Sequence, residues 1–154
     1  MRIIGTVFSA LVLGAAVALS GSAYAGDGGA AIAERQALMK LQGVAAGTIK
    51  AAIDSKDPAR IKAAEGAARA LAFSAKAIPT MFPKGSDEKA GKTAALAKIW
   101  DDPEGFKKAA DALGARAAEL ADALKDGDPA KAMAAFGAAG KDGCGACHGT
   151  YRTK

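Results

Sequence analysis

The sequence predicts an all-α protein, an antiparallel four-helix bundle with one longer connection between helices two and three. Three observations predict it. Asp-Pro occurs three times, at Asp57-Pro58, Asp102-Pro103 and Asp128-Pro129. Apolar residues recur at alternating spacings of three and four. No stretch alternates polar and apolar residues with the β-branched bias of a strand.

Each Asp-Pro pair reads as a helix start. The carboxylate accepts the free N–H groups of the first turn, and proline is tolerated at the first helical position because the N–H it lacks has no partner there. A helix after Gly26-Asp27-Gly28-Gly29 brings the count to four. In that first helix Ile32, Met39, Ala46 and Ile53 repeat every seven residues, with Leu38 and Ile49 flanking. After Pro58 the stripe is Ile61, Ala64, Ala68, Leu71, Ala75 and Ile78. After Pro103 it is Phe106, Ala110, Leu113, Ala117, Leu120 and Leu124. Both are the buried face of an amphipathic helix. The fourth helix runs from Pro129 through Phe136 toward Cys144.

The links at Asp54-Ser55-Lys56 and Asp126-Gly127 are short, which makes the helices they join antiparallel. The connection over residues 79–100 is long and holds Pro79, Phe82, Pro83 and Gly85. The many alanines let helices approach closely but bury little area each. The composition therefore predicts a poorly stable apoprotein whose core is completed by a large apolar cofactor.

The N-terminus reads as an export signal. Arg2 is followed by an uncharged apolar run over residues 3–20 and then by Ala23-Tyr24-Ala25, a small-residue cleavage site. The run is also long enough to span a bilayer marginally, as an uncleaved anchor would. The cleavage site and the polar Gly26-Asp27-Gly28-Gly29 favour removal. Residues 1–25 are thus a cleaved signal peptide, and residues 26–154 are one helical domain of 129 residues, 154 less the first 25. Its location is the periplasm, with no membrane insertion after cleavage. Without Arg2 the 21 bases become 20 against 16 acids, a formal charge of +4. The bases are interspersed with acids and aromatics are few, which argues against nucleic acid.

Cys144-Gly145-Ala146-Cys147-His148 is the C-x-x-C-H pattern of covalent haem attachment. Positions i and i+3 are neighbours on a helix. Two thiols so placed can add to the two vinyl groups on one edge of a haem. His148 comes next and projects toward the iron as proximal ligand. Three other readings compete. A redox dithiol normally opens a helix after a strand, and no strand is predicted here. Zinc needs a fourth group beyond Cys144, Cys147 and His148, and the last two are adjacent. A structural disulfide is the third. The pattern in an exported chain favours one covalent haem c with its iron, adding two propionates and lowering the charge to +2.

His148 is the only histidine, so a second histidine ligand is excluded. Six residues come after it, none a methionine. Met133 lies on its own helix, 15 residues away and about 22 Å along the axis, too far to cross the ring. Met81 sits in the long connection. Met39 lies on the apolar stripe of helix one. It either ligates the iron or fills the core, as methionine often does. In the second case the distal face is Leu38, Met39 and alanines, and the iron is open to a small gas.

With these residues in view, the sequence resembles the class II c-type cytochromes, the cytochrome c prime family, and most of all its low-spin c-556 type. The resemblance covers nearly all of residues 26–154. It includes Arg35-Gln36-Ala37-Leu38-Met39-Lys40, Phe82-Pro83-Lys84-Gly85-Ser86, Ile99-Trp100, Phe106, and Cys144 through Arg152. It implies that Arg35 lies near a haem propionate and that Met39 faces the distal side of the iron. The low-spin branch implies ligation by Met39. Arg152 matches an arginine near the proximal pocket, against the alternative of a solvated helix end. Trp100 matches a residue packed at the haem edge, against the alternative of a loop anchor.

The expected function is one-electron transfer among periplasmic redox proteins, with no enzymatic activity. A gas-binding protein for nitric oxide or carbon monoxide is the second reading. A thiol–disulfide protein using Cys144 and Cys147 is the third. The relatives occur as monomers and as homodimers paired through their first two helices. Exposed Lys50, Lys56, Lys62 and Arg69 favour the monomer.

Overall fold

Aspartate opens each of the four helical rods of the computed structural model, which describes residues 27–153. The export signal expected from the sequence, residues 1–25, lies outside the described residues. Helix α1 (Gly28–Asp54) starts at Asp27, whose carboxylate accepts from Gly29 N at 3.0 Å. Gly28 has no room for a Cβ, which would collide with the Gly85 carbonyl and Ala90, so the first turn sits directly on the long connection. Helix α2 (Pro58–Ala63) starts at Asp57, which accepts from Ala59 N at 2.9 Å. Helix α3 (Glu65–Ala75) continues it after a kink at Ala64. The single second helix expected from the sequence is thus interrupted. Its stripe is not: Ile61, Ala64, Ala68, Leu71, Ala75 and Ile78 are all buried.

The long connection is more ordered than its prolines suggest. It holds a 3-10 turn (Pro79–Met81) and a one-turn helix α4 (Lys98–Asp101). Helix α5 (Pro103–Leu124) starts at Asp102, whose Oδ1 accepts from Gly105 N at 3.0 Å. Its whole predicted stripe, Phe106 to Leu124, is buried. Gly127 turns the chain with φ +72°, where Pro58 would crowd any side chain. Helix α6 (Pro129–Ala138) starts at Asp128, which accepts from Ala130 N and Lys131 N at 2.8 and 3.1 Å. A π-helical segment (Ala139–Gly145) and helix α7 (Ala146–Tyr151) complete the fourth rod.

The four rods, α1, α2–α3, α5 and α6–α7, form the predicted all-α bundle, with α5 packed against α3, α6 and the π segment. Among the described residues the only extended pairing is a single bridge. Ala95 meets Arg152, with Leu96 N donating to Tyr151 O at 3.0 Å and Thr153 N to Ala94 O at 2.9 Å. The core has two parts. At one end Ile49, Ile53, Ile61, Leu120 and Leu124 close the bundle around small alanines. At the other, Ile78, Ile99, Phe106, Leu113 and Tyr151 form a floor. Above that floor the helices stay apart.

Candidate haem-binding site

The gap is a cavity of about 630 Å³, within the range of small-molecule and cofactor sites. Four parts of the chain build it. Helix α1 contributes Arg35, Met39, Gly43 and Ala46, which share one face by their spacing of three and four. Phe82 and Ile99 of the long connection and Phe106 and Leu113 of α5 supply apolar floor. The end of the fourth rod contributes Cys144, Cys147, His148, Tyr151 and Arg152.

The π segment presents that last group. A π turn is wider than an α turn and rotates α7 relative to α6. It is also pressed close to α5: a Cβ on Gly143 would lie 2.9 Å from Leu113 Cδ1 and 3.2 Å from its Cα. The far end of α7 is tied down by the bridge to Ala95 and by Tyr151, whose hydroxyl donates to Asp102 Oδ2 at 2.9 Å. The C-x-x-C-H stretch is therefore held at both ends against the cavity.

Cys144 and His148 are solvent-accessible yet face a concave wall, where protein replaces part of their water. That loss of solvation pushes both thiols up, with the neighbouring Cys144 adding to the effect at Cys147. It also pushes His148 down, helped by the Arg152 charge. Neutral imidazole is the form that binds iron. The two cysteines are not joined.

The opposite wall carries a buried cation. Arg35 is 3% exposed, and burial lowers its pKa. Its Nη1 donates to Ser86 Oγ at 2.8 Å, and its Nη2 donates to Ser86 O at 2.7 Å and Thr93 Oγ1 at 2.9 Å. The guanidinium stacks on Phe82, 4.6 Å from the ring centroid.

The structure brings Arg35, Met39, Cys144, Cys147, His148 and Arg152 to one cavity. Trp100 stands apart. It does not line the cavity; its Nε1 donates to the Phe82 and Pro83 carbonyls at 3.1 and 3.2 Å, anchoring the loop that carries Phe82. Leu38 packs into the floor beside Met39 and does not reach the wall. Met133 is exposed on α6. Sequence reasoning gave no role to Tyr151 or Ser86. Tyr151 had a usable signal, since it lies three residues after His148 on the same face. Ser86 had none, because its contact with Arg35 spans 51 positions.

Two thiols and an imidazole in C-x-x-C-H order, at the edge of an apolar cavity in the last rod of a four-helix bundle, define a c-type cytochrome of the second class. The donor set and the apolar floor fit a haem. Comparison with known proteins agrees. The family described as Cytochrome C' matches residues 30–152. The cytochrome c-556 of Agrobacterium tumefaciens (strain II Chrys) is 37% identical over 123 residues, covering 80% of this chain and 97% of that protein. The cytochrome c' of Rhodopseudomonas palustris is 31% identical over 151 residues, covering 98% and 96%. Among solved structures, cytochrome c' from Rubrivivax gelatinosus matches with a TM-score of 0.70 and 32% identity, covering 82% of this chain and 98% of that one. A nitric oxide complex of a cytochrome c prime variant from Alcaligenes xylosoxidans matches with a TM-score of 0.66 and 29% identity, covering 80% and 94%.

The chain belongs to the cytochrome c prime family. Its cofactor is haem c with its iron, and the family comprises electron carriers and gas-binding haem proteins.

Proposed function

We propose that this protein is an exported one-electron carrier whose haem is bound through Cys144 and Cys147 and ligated by His148 and Met39. One observation supports this above the rest: Met39 and His148, on different rods, line the same cavity as the two thiols. When bound, haem c supplies a one-electron iron couple. The chain's part is to hold it still. His148 and Met39 give a ligand pair that needs little rearrangement on oxidation and raises the potential. Ile99, Phe106 and Leu113 exclude water from the floor. Arg35 and Arg152 supply positive charge for the propionates. The apolar run ahead of Ala23-Tyr24-Ala25 supports a periplasmic location, and the partners are other redox proteins there.

The decisive test is the visible spectrum of the reduced protein and of Met39→Ala. A sharp low-spin α band in the parent that collapses to a broad high-spin band in the variant is expected. A high-spin parent would overturn ligation by Met39.

A second reading is gas binding at a five-coordinate iron. The wall beside Met39 favours it locally, since Gly43 and Ala46 leave space for a small molecule. The variant of the relative from Alcaligenes xylosoxidans is a nitric oxide complex. Failure of the reduced protein to bind nitric oxide or carbon monoxide would exclude this reading.

A homodimer fits better than the surface charges suggest. Lys50, Lys56, Lys62 and Arg69 are exposed, as expected. The outer face of α1, however, carries Ala33, Ala37, Leu41, Val44, Thr48 and Ala51, all exposed and none charged. Leu41 and Val44 are 67% and 68% exposed. A stripe of this kind favours a second copy as its cover.

A further inference from the structure

The polar group least explained by cofactor binding is Ser86. It is fully buried, at 0% exposure, in a loop rich in charge. Its hydroxyl donates to the Pro83 carbonyl at 2.8 Å, which leaves its lone pairs free for Arg35. It then receives Arg35 twice, the hydroxyl from Nη1 and the main-chain carbonyl from Nη2. Two acceptors from one residue fix the plane of a guanidinium, as a fork-shaped donor requires. Phe82 stacks against that plane, and the Trp100 indole pins the Phe82 and Pro83 carbonyls from behind.

Every partner of this guanidinium is neutral. None of the ion pairs among the described residues includes Arg35. A buried charge without a counter-charge is costly, and a cavity-lining one projects its potential into the cavity. Three of its five N–H donors are engaged by Ser86 and Thr93. The other two, on Nε and Nη1, have no acceptor among the hydrogen bonds of the described residues.

We propose that Ser86 is a positioning residue for the iron's reduction potential: its two-point clamp holds the Arg35 charge, which no protein carboxylate pairs, against the cavity wall. This rests on the haem reading of Cys144, Cys147 and His148. A fixed positive charge favours the reduced iron, which carries one less positive charge than the oxidised form. Without the Ser86 hydroxyl the guanidinium swings toward water, its field at the iron weakens, and the potential falls. Thr93 holds the same group through a single bond and acts in the same sense, more weakly.

The experiment is a midpoint-potential titration of the haem-loaded parent and of Ser86→Ala, Ser86→Thr, Thr93→Val and Arg35→Gln, with a thermal melt of each. Ser86→Ala is expected to move the potential down, toward that of Arg35→Gln. Ser86→Thr, which restores the hydroxyl, returns it toward the parent. Thr93→Val leaves the fully buried site intact and shifts the potential in the same direction by less. A Ser86→Ala protein that melts earlier but keeps or raises its potential would show that Ser86 only supports the loop. Should Ser86→Ala not fold, an unchanged potential in Thr93→Val overturns the proposal. Absence of covalent haem in the parent would instead overturn the haem reading itself.

Discussion

Tyr151 and Asp102 show how one side-chain pair ties α7, which carries the C-x-x-C-H histidine, to the rest of the bundle. The Asp102 carboxylate does two jobs, capping Gly105 with Oδ1 and accepting from Tyr151 with Oδ2. The Tyr151 hydrogen bond, then the Gly105 N–H, hold its carboxyl below the ordinary carboxylate range. Burial, then the same hydrogen bond, pushes the Tyr151 phenol up. A depressed carboxyl stabilises the fold above its unfolded pKa and loses that contribution as pH falls through the folded one. A raised phenol contributes below its unfolded value of about 10 and loses it as pH rises through the folded one. The pair therefore stabilises between those limits. Asp102→Asn keeps the cap, since asparagine caps as well as aspartate, but loses the charge. Its melting temperature is expected to fall less steeply with acid than the parent's, converging with it below about pH 4. Parallel acid-side slopes would refute the role given to this pair. At this scale the sequence was readable where chemistry is local. Asp57, Asp102 and Asp128 announce their helices through the proline beside each. The C-x-x-C-H order names its own chemistry. The Tyr151–Asp102 bond crosses 49 positions and has no local mark.

The four rods were legible as elements because each buries a continuous stripe, and a stripe survives irregularities of the backbone beneath it. Ala64 breaks the second rod without disturbing the burial of Ile61, Ala68 or Leu71. The π segment was not legible, for the converse reason. What distinguishes it is the fit of Gly143 against Leu113, a tertiary contact that periodicity cannot encode. The fit makes a direct prediction. In Gly143→Ala the new methyl meets both the Leu113 side chain and its Cα, and only the first can yield. Overpacking of this kind costs about 1–3 kcal/mol. The expected outcome is a lower melting temperature together with reduced covalent haem per chain, read from pyridine haemochrome absorbance, because the displaced segment carries Cys144. Parent-like values of both would mean that the π segment tolerates movement away from α5. Gly137, with nothing within 4 Å of its added Cβ, is the matched control, and Gly137→Ala should be neutral or slightly stabilising.

Across the whole molecule, the division of the core into a closed end and an open end links stability to the cofactor. The closed end is filled by Ile49, Ile53, Ile61, Leu120 and Leu124, with alanines between them. The open end surrounds about 630 Å³ of cavity, and its apolar floor faces water unless something covers it. A ligand that binds only the folded state stabilises it, and a covalent one cannot dissociate on unfolding. The double variant Cys144→Ser/Cys147→Ser removes the proposed attachment while leaving the rods' own stripes unchanged. It is expected to melt well below the haem-loaded parent. The losses should not be uniform. Hydrogen exchange should rise most in residues around the cavity, such as Phe82, Phe106 and Tyr151, and least around Ile53 and Leu120. The low local stability of the open end predicts this gradient. Uniform exchange at both ends would mean that the bundle opens as one unit and that the haem braces α5 along its full length. The outer face of α1 enters the same accounting. If Leu41 and Val44 are covered by a second copy, Val44→Asp should convert the parent dimer to a monomer by sedimentation. Because Val44 is 68% exposed, far from the buried stripe of its own helix, that change should leave the haem spectrum untouched. A parent that sediments as a monomer at every concentration would instead leave the α1 stripe without a second copy to cover it.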